Sequence, residues 1–256
     1  EIFADETQNY LVTVEQLEAA RTPKTKALLF CSPSNPTGSV YSVEQVKAIG
    51  EWAVKNNIWV IADEIYEHIN FSGTFCSIGS IPGMLEKTVT VNGVAKAFAM
   101  TGWRLGYMGA SLAIAKACDK MQGQFTSATC SIAQRAAIAA LDSPLTSTLS
   151  MKAAFQKRRD LVYELIKEIP GFITNKPAGA FYFFPDVTYY FGKKHAGGTI
   201  NNAEDLCMYL LTEANVAVVS GDSFGSPNNI RFSYATTEEN LIEAMQRIKV
   251  ELAKLV

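Results

Sequence analysis

The stretch Val91–Gly106, VNGVAKAFAMTGWRLG, decides how the rest of the chain is read. It continues a β-branched run, Thr88-Val89-Thr90-Val91, which has the composition of a buried strand leading into the turn signal Asn92-Gly93. One cation, Lys96, then sits among Val94, Ala95, Ala97, Phe98, Ala99 and Met100. Small and apolar neighbours at a strand's carboxyl end disfavour the ammonium by desolvation, and a neutral amine attacks a carbonyl to form a Schiff base. Eight residues on, Arg104 lies between Gly102-Trp103 and Leu105-Gly106, a setting that suits a guanidinium fixed against an anion. Taken singly, Lys96 reads better as a snorkelling lysine and Arg104 as a surface ion-pair partner. The surrounding chain reverses that preference.

Upstream, Thr13-Val14-Glu15-Gln16 is a capping box that opens a helix through about Ala20. The apolar run Ala27-Leu28-Leu29-Phe30-Cys31 predicts a buried strand, and SPSNPTGSVYS over 32–42 is dense in turn formers. Proline and the tight turn together predict a cis peptide at Asn35–Pro36. A second capping box, Ser42-Val43-Glu44-Gln45, starts a helix through about Asn56 with Val46, Ile49, Trp52 and Ala53 on one face. Trp59-Val60-Ile61-Ala62 is the next strand, with Asp63-Glu64-Ile65-Tyr66 directly behind it. Strand, helix, strand and a further strand at Thr88–Val91 is the rhythm of βαβ units and a parallel sheet. Leu105–Ala110 adds one more strand.

Downstream, Ile114, Cys118, Met121 and Phe125 mark an amphipathic helix over about 111–125, and another follows over 131–141. A long helix from about Leu145 to Glu168, ended by Pro170-Gly171, is suited to bridge two domains. Short strand-like runs at 172–174, 180–184, 216–220 and 230–234 then alternate with helices at about 203–214 and 237–255. The expectation is an α/β chain with a mainly parallel sheet in residues 1–144, and a bridging helix plus a smaller α+β domain in 145–256.

At 256 residues the chain can bury a sizeable core, and 48% apolar with 19% charged residues is a globular balance. A net charge of −2 leaves no electrostatic footprint for nucleic acid or an anionic membrane. The cysteines at 31, 76, 118, 130 and 207 form no CxxC pair, so neither a disulfide framework nor a zinc site is expected, and a reduced, cytoplasmic compartment fits. No run reaches the length of a membrane span, and no signal peptide is visible. His68 and His195 stand alone without HExxH, and no GxGxxG or GxxxxGK[ST] is present. Lys193-Lys194-His195 reads as a solvated loop. With no initiator Met, the first residues read like the middle of a domain.

In a parallel α/β sheet, ligands bind at the carboxyl ends of the strands. Asn35, Asp63, Tyr66 and Lys96 all fall there. A lysine for a Schiff base and a carboxylate for a heterocycle nitrogen are what pyridoxal 5'-phosphate requires to act as an electron sink. Asp63 would keep the pyridine nitrogen protonated, Asn35 and Tyr66 would bond the ring oxygen, and Arg104 would take the phosphate. Singly, Asn35 is a turn residue, Asp63 a helix cap and Tyr66 a half-buried aromatic. Together with Lys96 and Arg104, in this order, coincidence is a poor account.

SPSNPTG, IADEIY and VAKAFAMTGWRLGY resemble the signatures of the class I/II aminotransferases, fold-type I pyridoxal phosphate enzymes, and the likeness continues to RFSYATTEEN. The resemblance is greatest to the group of bacterial and plant-type aspartate and prephenate aminotransferases. It implies Lys96 as the Schiff-base lysine, Asp63 as partner of the pyridine nitrogen, Asn35 and Tyr66 as ring-oxygen ligands, and Arg104 as a phosphate ligand. It also implies Arg231 as the arginine that forks onto the substrate α-carboxylate, a role suited to a planar guanidinium, and Asn35 as a further substrate-binding residue. The activity implied is a ping-pong transfer of an amino group in a homodimer, with L-aspartate and 2-oxoglutarate as the first substrate pair. Prephenate, another amino acid, a β-elimination or a non-catalytic relic are the alternatives.

Two departures stand out. Ala95 and Gly93 occupy positions where many relatives place a phosphate-binding serine. The long N-terminal portion of such enzymes, with its glycine-rich phosphate turn and cofactor-stacking ring, is not in this sequence. The 256 residues alone are therefore expected to leave strand edges and apolar surface uncovered and to be weakly active at best.

Overall fold

Thr13 and Ser42 open the first two helices, α1 (Val14–Ala20) and α2 (Val43–Lys55), in the way their sequences require. Each cap hydroxyl accepts the N–H of Gln16 or Gln45, whose side-chain oxygen accepts the cap residue's own N–H, so two orphan donors are satisfied at each start. The structure, a computed structural model, describes residues 1–256 and divides into two compact units. One comprises Glu1–Ser34 with Ser39–Lys152, the other Asn35–Gly38 with Ala153–Val256.

The first unit is built on a four-stranded sheet in the order β1 (Ala27–Cys31), β2 (Trp59–Asp63), β3 (Thr88–Gly93), β4 (Gly106–Gly109). β1, β2 and β3 are parallel, with Cys31 beside Asp63 and Asp63 beside Val91. β4 runs antiparallel to β3; the segment between them folds into the Lys96 turn and a 3-10 turn at Thr101–Trp103 and forms no crossover helix. One sheet face presents Phe30, Val60 and Ala62 to Val46, Ile49, Trp52 and Ala53 of α2, and these residues form the buried cluster of the unit. Side chains alternate across a strand, so Leu29, Ile61 and Val91 lie on the opposite face, where all three are exposed, Leu29 at 76%.

Three helices follow: α3 (Leu112–Phe125), α4 (Ser131–Leu141) and α5 (Thr146–Lys167). The apolar stripe expected on α3 is present and mostly uncovered: Ile114 is half-buried, no residue of α3 is buried, and Phe125 is 81% exposed. The division between units falls inside α5, at Lys152.

In the second unit β5 (Tyr182–Phe183), β8 (Val219–Ser220) and β9 (Ile230–Ser233) form an antiparallel sheet with β9 central. α6 (Ala203–Glu213) and α7 (Glu238–Leu252) supply Leu206, Leu210 and Ile248 to a core with Phe183, Ile200 and Ile230. The loop expected at Lys193–His195 is corrected: Lys194–His195 is a strand, β6, paired with β7 (Gly198–Thr199). Lys194 also exchanges backbone hydrogen bonds with Val256, which fixes the hairpin to the chain's last residue. The strand expected at 172–174 is reduced to one bridge between Ile173 and Asp186, hemmed by Pro170-Gly171 and Pro177. No helix is long and apolar enough to cross a membrane.

Candidate active site

Asp63 ends β2, and its Oδ1 accepts the Ile65 N–H at 3.1 Å, an Asx turn that holds the carboxylate at the sheet's carboxyl end. The Glu64 N–H bonds the Val91 carbonyl at 2.9 Å, so the chain stays tied to β3 before it turns. Tyr66, 2% exposed, follows in a turn closed by Glu67 N–H to Glu64 O and Ile69 N–H to Tyr66 O.

β3 ends at Gly93, where a Cβ would stand 3.0 Å from both Gly106 Cα and the Leu105 oxygen, so β4 passes close by and would have to give by a few tenths of an ångström to admit a side chain. Lys96 sits in the following turn, closed by Ala99 N–H to Lys96 O and Met100 N–H to Val94 O, each at 3.3 Å. Thr148, buried near the start of α5, donates its hydroxyl to the Ala97 carbonyl at 2.8 Å. Lys96 Nζ lies 5.8 Å from the centroid of the Tyr66 ring. Asp63, Tyr66 and Lys96 thus meet at one end of one sheet. Arg104 comes next along the chain in the left-handed region, φ +52°, as does Ala99 at +53°. Such backbone is uncommon for residues with a Cβ and clusters at functional sites. Arg104 is exposed, and its Nη1 donates to the Thr101 carbonyl at 3.0 Å.

Asn35 and Arg231 belong to the second unit and are brought together there. Arg231 Nη1 donates to Asn35 Oδ1 at 2.9 Å. The Asn35–Pro36 peptide is cis, as expected, and so is Ser32–Pro33. Gly38 closes this segment with φ +67°, its carbonyl accepting the N–H groups of Ala178 and Gly179 at 2.8 Å each.

Four neighbours escape a reading of the sequence. Asn92 and Glu67 are joined by a hydrogen bond beside the Lys96 turn, and Tyr182 and Phe224 put their rings against Arg231. A position directly before Gly93, and the Phe-Gly pair at 224–225, are the only local signals they carry. Next to Asp63, Glu64 is buried and burial pushes its carboxyl above the ordinary value, against a Ser77 hydroxyl bond at 2.7 Å.

Chemically, the first unit offers an amine, a carboxylate and a phenol at the end of parallel strands. The second offers a guanidinium with an amide partner. The family model for aminotransferase class I and II matches residues 2–248. The chain belongs to that family. An aspartate aminotransferase of Streptomyces avermitilis is 44% identical over 256 residues, covering 99% of this chain and 63% of the relative. A bifunctional aspartate aminotransferase and glutamate/aspartate-prephenate aminotransferase of Petunia hybrida is 45% identical, covering 97% of this chain and 53% of its own length. The crystal structure of the aspartate aminotransferase from Rhizobium meliloti superposes with a TM-score of 0.93 at 40% identity, over 99% of this chain and 64% of that one. The α/β fold expected from the sequence is therefore that of the fold-type I aminotransferases, and the chain spans 53–64% of the length of these relatives.

Proposed function

We propose that the whole protein is a pyridoxal 5'-phosphate-dependent aminotransferase that moves an amino group between L-aspartate and 2-oxoglutarate. The gathering of Asp63, Tyr66 and Lys96 at one sheet end, in a chain of this family, carries the reading. This donor set fits the cofactor: an amine for its aldehyde, a carboxylate for its ring nitrogen and a phenol for its ring oxygen. When bound, the cofactor supplies an aldehyde that captures the amino group and a ring that accepts an electron pair from the substrate Cα.

The chain's own residues do the rest. Lys96 Nζ holds the cofactor between turnovers and afterwards takes the proton from the substrate Cα and returns it on the other side of the reaction. Asp63 keeps the ring nitrogen protonated through its carboxylate, and Tyr66 and Asn35 bond the ring oxygen. Arg104 binds the phosphate as a guanidinium, and Arg231 forks onto the substrate α-carboxylate. The names of the relatives support aspartate as the amino donor.

The test uses the full-length protein. Borohydride reduction should fix the cofactor on the peptide containing Lys96, and Lys96→Ala should lose the label and aspartate–2-oxoglutarate transamination by at least about 10³-fold. Label on Lys87 or Lys116 overturns the assignment.

The working protein is further proposed to be a homodimer in a reducing, cytoplasmic compartment. Exposed Met121, Phe125, Ile132 and Ile138 on α3 and α4 support an interface, and five free thiols support the compartment. Light scattering of the full-length protein at twice the monomer mass would agree, and a monomer would not.

A further inference from the structure

Arg231 is held by more than Asn35. Its guanidinium carbon lies 4.6 Å from the centroid of the Tyr182 ring and 4.8 Å from that of Phe224, both well inside the range of cation–π attraction. Tyr182 reaches it across the sheet: Tyr182 pairs with Ser233, and Ser233 and Arg231 share a face of β9. Phe224 reaches it from a turn, Gly221–Phe224, that leaves the end of β8.

That turn is braced from several sides. The Ser220 hydroxyl accepts the Asp222 N–H and donates to the Asp222 carboxylate. Gly221 exchanges backbone bonds with Ser226 and Asn229, and a Cβ on it would stand 2.0 Å from the Ser226 oxygen. Asn229, 4% exposed, donates to the Phe184 carbonyl at 2.9 Å and accepts the Ser226 hydroxyl at 2.7 Å. The edge of the buried Phe184 ring then meets Phe224 with centroids 5.9 Å apart. So much bracing ends on an aromatic that is itself only half-buried, and the charged group its ring covers is Arg231.

We propose that Phe224, with Tyr182, is a positioning residue: the two rings set the plane of the Arg231 guanidinium, so that its remaining N–H edge meets a carboxylate without first being ordered. A fork presented in advance binds an anion without the cost of immobilising a long flexible side chain. The inference rests on Arg231 being the substrate-carboxylate arginine, and the experiment separates the two.

Phe224→Leu keeps an apolar side chain and removes the π face. In the cofactor-loaded full-length protein it should raise KM for both substrates about 2- to 30-fold, the span of a cation–π contact, with a smaller fall in kcat. It should weaken binding of maleate, a non-reacting dicarboxylate, by the same factor in calorimetry. Phe224→Tyr should restore both. If Phe224→Leu does not fold, Phe224→Met is read in its place. Unchanged maleate affinity in the Leu or Met variant, with Arg231→Lys weakening it, overturns the positioning role alone. Unchanged affinity in Arg231→Lys overturns the reading of Arg231 and this inference with it.

Discussion

Asn92 donates its side-chain amide to Glu67 Oε1 at 2.7 Å, while its own amide oxygen takes the Gly93 N–H at 2.7 Å. One side chain therefore ties the end of β3, just before the turn that carries Lys96, to the turn that carries Tyr66. Glu67 also lies 3.6 Å from His68 Nε2, and its charge helps push the Tyr107 hydroxyl above its ordinary value, after burial.

Asn92→Ala should accordingly separate the Tyr66 and Lys96 turns. A hydrogen bond to a charged group contributes about 1.5–3 kcal/mol, so about tenfold weaker cofactor affinity is expected, with a fall in Tm of a few degrees. Asn92→Asp, which sets a second carboxylate against Glu67, should be worse. Titration of tryptophan fluorescence with pyridoxal 5'-phosphate measures the affinity. An Asn92→Ala protein that binds the cofactor as the parent does would show that Gly93 and Thr148 hold the Lys96 turn unaided.

What could be read in the sequence was what is local. The capping boxes at Thr13 and Ser42, the apolar runs at 27–31 and 59–62 and the stripe of α2 each lie within a few residues, and their elements formed within one or two residues of expectation. The direction of β4 was not legible, because it depends on how the segment between Gly93 and Gly106 folds rather than on the strand's own composition. The hairpin strands β6 and β7 carry only two residues each, too few for a period-2 pattern. The supports of the site are non-local by nature. Asn92 finds Glu67 at a separation of 25 residues, Thr148 finds Ala97 at 51 and Arg231 finds Asn35 at 196. Motif resemblance supplied Asn35 and Arg231 each as a site residue but not their contact; nothing in their flanking residues pointed to Tyr182 or Phe224.

Gly38 should be the least replaceable residue of the turn that follows Asn35. Its φ of +67° costs an alanine about 1–2 kcal/mol, and a Cβ there would stand 2.5 Å from Pro177 Cβ and 2.9 Å from the Gly179 oxygen. Overpacking of this kind adds about 1–3 kcal/mol. Gly38→Ala should therefore lower Tm by on the order of 10 °C and reduce kcat/KM by moving Asn35 off Arg231. Gly73 is the control: its φ is +108°, but nothing lies within 4 Å of its would-be Cβ. Equal Tm losses in Gly38→Ala and Gly73→Ala would mean that backbone conformation alone, and not the close approach of Pro177 and Gly179, decides the cost.

Glu64 should make stability fall as pH rises. The residue is 4% exposed, and burial raises its carboxyl pKa above the ordinary 4.5, opposed by the Ser77 hydroxyl and reinforced by the charges of Glu67 and Asp63. A folded-state pKa above the unfolded one means that the native protein binds more protons between the two values, so this group's contribution to stability is greatest below 4.5 and declines as pH climbs through the raised pKa. Each unit of that shift is worth about 1.4 kcal/mol. Glu64→Gln cannot ionise, yet its amide oxygen can still accept the Ser77 hydroxyl. Its Tm, measured against the parent in a buffer series from about pH 4.5 to 8, should therefore gain on the parent as pH rises and level off once Glu64 is fully charged. A Gln variant that loses ground to the parent over the same range would mean that the native state prefers the carboxylate, with the Ser77 bond outweighing burial.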